Sequence, residues 1–270
     1  MQYARDLVVR IRNKYISNIR KKTPVIDGAT YTSRNQWLSP VLIGREAIES
    51  IVLDKKNILD VLDLLKKLPN DNYLDFLTGY YSKGLKLFGN HWKYADITTT
   101  LNAISKNIKI ESYLEIGVRT GRSMAAVAAH SKECSIVGFD LWIQDYAGMD
   151  NPGPENVISL LKEIGHTGDV DLISGNSLNT VPQYFNDNVD KYFDLITVDG
   201  DHRIKGAKKD IRNVMPHLKI GGFLVFDDII SPHHPYLMDL WKKEIKSNPR
   251  YETYEFKSVG LGVGVAVRKY

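Results

Sequence analysis

The 270-residue chain contains a single cysteine, Cys134, and none of its apolar runs approaches the ~18 residues that a membrane-spanning helix needs. One cysteine excludes an internal disulfide framework and favours a reducing compartment. The N-terminal residues lack the uninterrupted apolar segment of a secretory signal, so we expect a cytoplasmic protein without a membrane span. The formal net charge of +4 is too small to indicate a nucleic acid as partner.

The pattern of apolar residues divides the chain near residue 108. Residues 1–108 carry helical periodicity, and the apolar residues of Ile51–Leu68 predict one buried helix there. A basic amphipathic segment occupies the first 22 residues. We expect that segment to pack on the domain or on another subunit, with contact to a membrane surface or a nucleic acid as the alternative. Residues 109–270 alternate strand-like and helix-like segments, which predicts an α/β fold with a parallel sheet and helices on both faces.

Candidate strands cover Ser112–Ile116, Ser135–Asp140, Val170–Ser174, Phe193–Val198 and Gly222–Phe226, followed by two strand-like runs at Thr253–Lys257 and Gly262–Arg268. This order of five β/α units and a terminal hairpin differs from that of a dehydrogenase, which would more often have a sixth parallel strand and a separate substrate domain. The order predicts a Rossmann-like sheet of five parallel strands plus a C-terminal antiparallel hairpin.

Two of the apolar runs end in acidic residues. Phe193–His202 reads FDLITVDGDH, and Gly222–Asp228 reads GFLVFDD. Ligands collect at the carboxyl ends of the strands in an open α/β sheet. Clustered carboxylates repel each other unless a cation or a proton joins them. The two segments therefore predict one shared site that contains Asp199, Asp227 and Asp228.

A glycine-containing loop joins the first predicted strand to a helix in Tyr113–Ser123, YLEIGVRTGRS. Gly117 suits a turn that other residues rarely adopt, and Gly121 lets a ligand approach the backbone at the helix start. The free N–H groups of that helix end favour a negatively charged ligand group. Arg119 stands where a dinucleotide fingerprint has its middle glycine, which argues against NAD. A tight β–α turn without any ligand explains the glycine pair equally well.

Polar residues end the first three predicted strands. Glu115 is an acid in the first strand, where a polar ligand or the facing loop must satisfy it. Asp140 ends the second strand and is placed to accept hydrogen bonds from ribose hydroxyls. Gly175–Ser177, GNS, ends the third strand, where an adenine edge can be read. These strand ends together predict an adenosine-type ligand without a pyrophosphate, a description that S-adenosylmethionine fits.

These motifs resemble those of the class I S-adenosylmethionine-dependent methyltransferases. The resemblance rests on LEIG with Gly121, on Gly138–Asp140 (GFD) and on Asp194–Gly200 (DLITVDG), and it covers residues 108–270. It is closest to the metal-dependent O-methyltransferases, and among these to the macrocin-type sugar O-methyltransferases, in which a D-G-x-H motif precedes a D-D pair. Residues 1–108 resemble no family that we can name.

The resemblance implies a metal site. The fourth and fifth strands of this fold are neighbours, ~4.8 Å apart, so Asp199 is expected beside Asp227 and Asp228. The resemblance assigns these three carboxylates to a metal that binds two neighbouring substrate oxygens. Oxygen-only ligation favours Mg²⁺, with Mn²⁺ or Ca²⁺ as alternatives.

The resemblance also assigns a proton acceptor. His202 follows Asp199 by three residues and matches the histidine proposed as general base in the macrocin-type family. A structural role, as a helix cap or a partner of Asp201, is the alternative. We expect Asp201 to cap the helix that starts near Ile204, with pairing to His202 as the alternative.

The cofactor is expected to contact nine residues. They are Glu115, Gly117, Gly121, Ser123, Asp140, Leu141, Asn176, Ser177 and Asp199. Asn176 departs from many relatives, which have an acid there, although an amide oxygen can also accept from the adenine amino group. Tyr146, Met149 and Asp150 lie on the loop after Asp140 and are candidates for a lid.

The sequence thus predicts a Mg²⁺-dependent O-methyltransferase that acts on a hydroxyl of a sugar or small natural product. The alternatives are a catechol-type small-molecule O-methyltransferase, a nucleotide-binding oxidoreductase and a non-catalytic methyltransferase-fold binding protein. Residues 109–270 are the predicted cofactor-binding domain, and residues 1–108 a helical region that serves as a substrate lid or in oligomerisation. We expect a homo-oligomer that takes a small-molecule substrate.

Overall fold

The computed structural model describes residues 7, 9–11, 14–15, 23–26, 30, 40–146 and 151–270. The α-helices within them are α1 Arg45–Val52, α2 Lys55–Leu65, α3 Asn72–Phe88, α4 Ile97–Asn107, α5 Arg122–Ala128, α6 Pro154–Glu163, α7 Ser177–Asp187, α8 Ile204–Val214 and α9 Leu237–Trp241. The strands are β1 Ser112–Ile116, β2 Ser135–Asp140, β3 Val170–Ser174, β4 Phe193–Val198, β5 Leu218–Phe226, β6 Tyr251–Phe256 and β7 Val263–Arg268.

The seven strands form one sheet in the order β3-β2-β1-β4-β5-β7-β6. Strands β1 to β5 are parallel, whereas β7 runs antiparallel to both β5 and β6. This topology confirms the predicted α/β architecture with its C-terminal antiparallel hairpin. Ile116 lies opposite Val198, which in turn lies opposite Phe226, so the loops after β1, β4 and β5 begin at the same level.

Side chains of the buried strands alternate between two hydrophobic cores, one on each face of the sheet. In β4, Leu195 packs into the first core, whereas Ile196 and Val198 pack into the second. The first core also contains apolar residues from α1 to α6, and the second contains those from α7, α8 and α9. Because successive strand residues face opposite sides, a strand covered on both faces is a continuous apolar run.

The single helix predicted over Ile51–Leu68 is wrong, since two helices occupy this stretch. Asp54 adopts an extended conformation, with φ −70° and ψ 133°, and its side chain accepts a hydrogen bond from the Lys56 N–H at 2.9 Å. It therefore caps the start of α2. The apolar residues on both sides form one uninterrupted helical pattern, which hides this cap in the sequence.

Helices α1 to α4 share the first core with sheet residues such as Tyr113 and Phe223. The division near residue 108 and the roles of the two regions stay predictions. The basic segment of the first 22 residues lies mostly outside the described residues, as do Met149 and Asp150 of the predicted lid. Within the part of the chain that the structure describes, no helix combines the length and apolarity needed to cross a membrane.

Candidate active site

The loops that follow β1, β4 and β5 are joined by backbone hydrogen bonds. The Asp199 N–H donates to the Ile116 carbonyl at 2.8 Å, and the Asp227 N–H donates to the Val198 carbonyl at 3.3 Å. Gly117 has φ +94°, and a Cβ added there would lie 2.0 Å from the Asp199 carbonyl oxygen. Only glycine allows this approach. The glycine loop and the first acid cluster are therefore parts of one site.

Asp199, Asp227 and Asp228 lie together at the carboxyl edge of the sheet, all half-buried. Burial raises the pKa of Asp227 well above its ordinary value, and repulsion from Asp199 and Asp228 adds to this. Burial, followed by repulsion from Asp199, raises the pKa of Asp228 to about 6. Among the described residues, no lysine or arginine forms an ion pair with any of the three.

The all-oxygen donor set of the three carboxylates fits a hard divalent cation. The three side chains are nevertheless not arranged as a ligand sphere. Within the described ranges, no group of three or more histidine, cysteine, aspartate or glutamate side chains has the geometry of a metal site.

His202 lies in the acid cluster. Its Nε2 is 3.1 Å from Asp199 Oδ1 and 4.0 Å from Asp228 Oδ2. Burial by itself lowers the pKa of His202. The nearby carboxylates, Asp199 first and then Asp228 and Asp201, outweigh burial, so the pKa of His202 is raised. On its other side, the His202 ring lies 4.9 Å from the His234 ring, centroid to centroid. The histidine thus faces Asp199 rather than Asp201.

The prediction that Asp201 caps α8 is wrong. Arg203 occupies the cap position, and no side chain caps that helix end. Asp201 instead accepts hydrogen bonds from the Arg203 N–H at 3.0 Å and from its Nη2 at 2.8 Å. Asp201 lies two residues before the cap position, and the adjacent guanidinium offers its carboxylate a paired, charge-assisted contact.

The glycine loop leads into an open helix end. Gly121 has φ +80° and occupies the cap position of α5, where no side chain of the described residues accepts from the first N–H groups. Glu115 is fully buried beneath the loop and accepts from the Ser123 hydroxyl and, at 2.7 Å, from the Tyr113 hydroxyl. Burial raises the pKa of Glu115 to about 8, although these two hydrogen bonds act to lower it. The site therefore combines unpaired N–H donors with a buried carboxyl group.

The remaining residues of the predicted cofactor set lie along the same edge of the sheet. Asp140 accepts from the Arg119 N–H at 2.7 Å and from the Trp142 N–H at 2.6 Å. Asn176 caps α7, since its Oδ1 accepts from the Leu178 N–H at 3.0 Å. Ser177 is half-buried at the first position of α7, and Leu141 is exposed.

Sequence reasoning missed the residues before β1 that reach this edge. Asp71 pairs with Arg122 of α5 at 2.7 Å, and the Arg122 guanidinium lies over the ring of Tyr73. The sequence shows Asp71 only as a helix-capping residue type ahead of α3, and nothing in the apolar pattern indicates its second partner.

A cavity of about 580 Å³ opens beside α3, away from the predicted site. Its lining includes Tyr80, Lys83, Phe88, Trp92 and Val259 and none of the predicted site residues.

Residues 114–229 match a family model described as a methyltransferase domain, a span of less than half of the chain. The O-methyltransferase TomG from Streptomyces achromogenes is 16% identical, with 85% of this chain and 100% of TomG covered and a TM-score of 0.54. The methyltransferase PaMTH1 from Podospora anserina is 16% identical, with 79% and 88% covered and a TM-score of 0.51. The chain has the class I methyltransferase fold.

At this level of identity the two structures show the fold of the chain and not its activity. The methyltransferase fold confirms the predicted architecture, and the matched segment begins within β1 and ends just after the acid pair at Asp227 and Asp228. No curated protein matches the sequence.

Proposed function

We propose that the protein is an S-adenosylmethionine-dependent O-methyltransferase that acts on a hydroxyl of a sugar or another small natural product and uses a divalent cation, Mg²⁺ first. One observation carries the proposal. A glycine loop that opens onto a helix N-terminus and a charged acid cluster with His202 lie side by side, joined by the hydrogen bond from the Asp199 N–H to the Ile116 carbonyl.

The glycine-loop half of the site suits the cofactor. The unpaired N–H groups at the start of α5 would bind the carboxylate of the methionine part. Glu115, buried beneath the loop, holds the Ser123 hydroxyl at the same helix end. Each carboxylate oxygen of Asp140 accepts one backbone N–H, from Arg119 or Trp142, and keeps a further lone pair. These lone pairs would accept from the ribose hydroxyls. When bound, the cofactor supplies the methyl group.

The acid half of the site suits the acceptor. Asp199, Asp227 and Asp228 would hold the cation, since no lysine or arginine among the described residues offsets their charge. When bound, a divalent cation lowers the pKa of a hydroxyl beside it and orients that oxygen.

His202 is the proposed proton acceptor. Its Nε2 lies 3.1 Å from Asp199 Oδ1, and when Nε2 carries a proton it donates to this carboxylate, which orients the ring toward the acid cluster. A neutral imidazole there can take the proton of an acceptor hydroxyl as the methyl group is transferred. His202 and Asp199 together would thus prepare the nucleophile.

Calorimetry with S-adenosylmethionine and with NAD tests the cofactor. We expect binding of S-adenosylmethionine and none of NAD, because the loop lacks the middle glycine of the dinucleotide fingerprint. Binding of NAD alone would contradict the proposal.

Turnover assays test the cation and the acceptor class. EDTA should abolish methyl transfer to sugar acceptors, and added Mg²⁺ should restore it, because the three aspartates repel each other without a cation. Methylation of catechols but not of sugars would favour the catechol-type alternative. Tight cofactor binding without turnover on either class would favour a non-catalytic binding protein.

A further inference from the structure

The first turn of α3 is tied to the start of α5 by one carboxylate. Asp71 Oδ1 accepts from the Leu74 N–H at 2.7 Å and so caps α3. Asp71 Oδ2 pairs with Arg122 Nη1 at 2.7 Å, and the Arg122 side chain is only 11% exposed. Arg122 is the first residue of α5, directly after Gly121. The region before β1 is therefore fastened to the helix end that would bind the cofactor.

Two guanidinium groups flank the ring of Tyr73. The Cζ atom of Arg122 lies 4.8 Å from the Tyr73 ring centroid, and that of Arg119 lies 5.8 Å from it. Arg119 also lies 5.3 Å from the Tyr146 ring and donates from Nη2 to the Tyr146 carbonyl at 3.2 Å. Cation–π contacts thus run from α3 across the glycine loop to the loop after β2.

Tyr73 also lies within electrostatic range of the acid cluster. Burial and then Asp96 raise the pKa of its hydroxyl, Arg122 lowers it, and Asp227 and Asp199 raise it further. Tyr73 is 38% exposed, so part of its ring remains open beside the glycine loop.

We propose that Tyr73, held by the Asp71–Arg122 ion pair, covers the cofactor at the glycine loop and slows its release. The inference rests on the proposed function, because it takes S-adenosylmethionine as the ligand. Tyr73 is then a cofactor-positioning residue supplied by the helical region before β1. Asp71 acts on the cofactor only through Arg122 and Tyr73.

The decisive variant is Asp71→Asn, which keeps a side-chain oxygen to cap α3 but removes the charge that holds Arg122. We expect the dissociation rate of S-adenosylmethionine, measured by stopped-flow fluorescence, to rise about tenfold, as for loss of a partly buried charge pair. Tyr73→Leu should raise it to a similar degree, whereas Tyr73→Phe, which keeps the aromatic face, should stay near the wild-type rate.

Two matched controls separate this effect from a general loss of packing. Phe88→Leu removes an exposed ring at the last position of α3, and Arg212→Met breaks a 2.7 Å ion pair between Arg212 of α8 and Glu244. Both should leave the dissociation rate unchanged. The charge-swapped double variant Asp71→Arg with Arg122→Asp should recover part of the wild-type rate, which a variant that merely fails to fold cannot do.

The rival role for Arg122 is direct binding of the cofactor carboxylate. Asp71→Asn would then free the guanidinium and slow dissociation, and that result would overturn the inference. Unchanged rates in both Asp71→Asn and Tyr73→Leu, with a wild-type protein that binds the cofactor, would overturn the inference alone. A wild-type protein that does not bind S-adenosylmethionine would contradict the proposed function, and the inference with it.

Discussion

Three aspartates near the site have different partners. Asp199 faces the imidazole of His202, Asp201 pairs with the neighbouring Arg203, and Asp71 pairs with an arginine 51 residues away along the chain. The residue type alone indicates a carboxylate that must be satisfied. Which cation or donor satisfies it depends on the fold around it, and this decides whether the carboxylate serves chemistry or structure.

His202→Ala tests the proton acceptor. We expect turnover to fall by about 10²–10⁴-fold, the usual contribution of a general base, while calorimetry shows an unchanged affinity for S-adenosylmethionine. The cofactor affinity should not change because His202 faces the acid cluster and not the glycine loop. The exposed His91 provides the control, since His91→Ala should affect neither quantity. Full activity of the His202 variant would exclude this histidine as the base.

The elements were predicted most accurately where a run of apolar residues ends in a glycine or an acid. The predicted bounds of β1 to β4 agree with the structure, because each strand ends at or just before a glycine or an acid. Prediction failed at Asp54, because the apolar pattern continues through this helix cap. It also failed at Asp201, because a cap there requires α8 to begin at residue 202, and the helix begins at Ile204.

Gly117→Ala tests the close contact between the glycine loop and the loop after β4. The added Cβ would lie 2.0 Å from a backbone oxygen at a positive φ, so one of the two loops must move. We expect the affinity for S-adenosylmethionine, measured by calorimetry, to fall at least tenfold.

Gly79 offers the matched control, because a Cβ at this position in α3 meets nothing within 4 Å. Gly79→Ala should leave the cofactor affinity unchanged and stabilise the fold by roughly 0.5–1 kcal/mol through helix propensity. Equal affinities of the two variants would show that the loop contact does not shape the cofactor site.

At the scale of the whole molecule, stability should depend on pH through buried carboxyl groups. Burial is the main cause that raises the pKa of Glu115 from 4.5 to about 8. Between pH 4.5 and 8 the folded protein therefore keeps a proton on Glu115 that the unfolded chain has lost. Stability is therefore highest near and below pH 4.5 for this group and falls as the pH rises toward 8, by up to about 5 kcal/mol.

Urea unfolding of the cofactor-free protein between pH 5 and 9 measures this dependence. Glu115→Gln, which stays neutral, should flatten the decline, whereas Glu133→Gln at an exposed position should not. Asp210, fully buried with a pKa raised to about 7 by burial, contributes a smaller decline of the same sign that remains in both variants. A wild-type protein whose stability rises between pH 5 and 8 would contradict this assignment.

The amino-acid sequence by itself determined the order of the elements and the chemistry at the strand ends. Buried parallel strands are apolar on both faces, and the loops after them carry the glycines and acids that a ligand needs, so both signals are local. Only the tertiary structure decided that Asp71 of one region pairs with Arg122 of another, and that the Tyr73 ring lies against the guanidinium of Arg122. Contacts between residues distant in the chain depend on how packed layers meet, and no local periodicity records them.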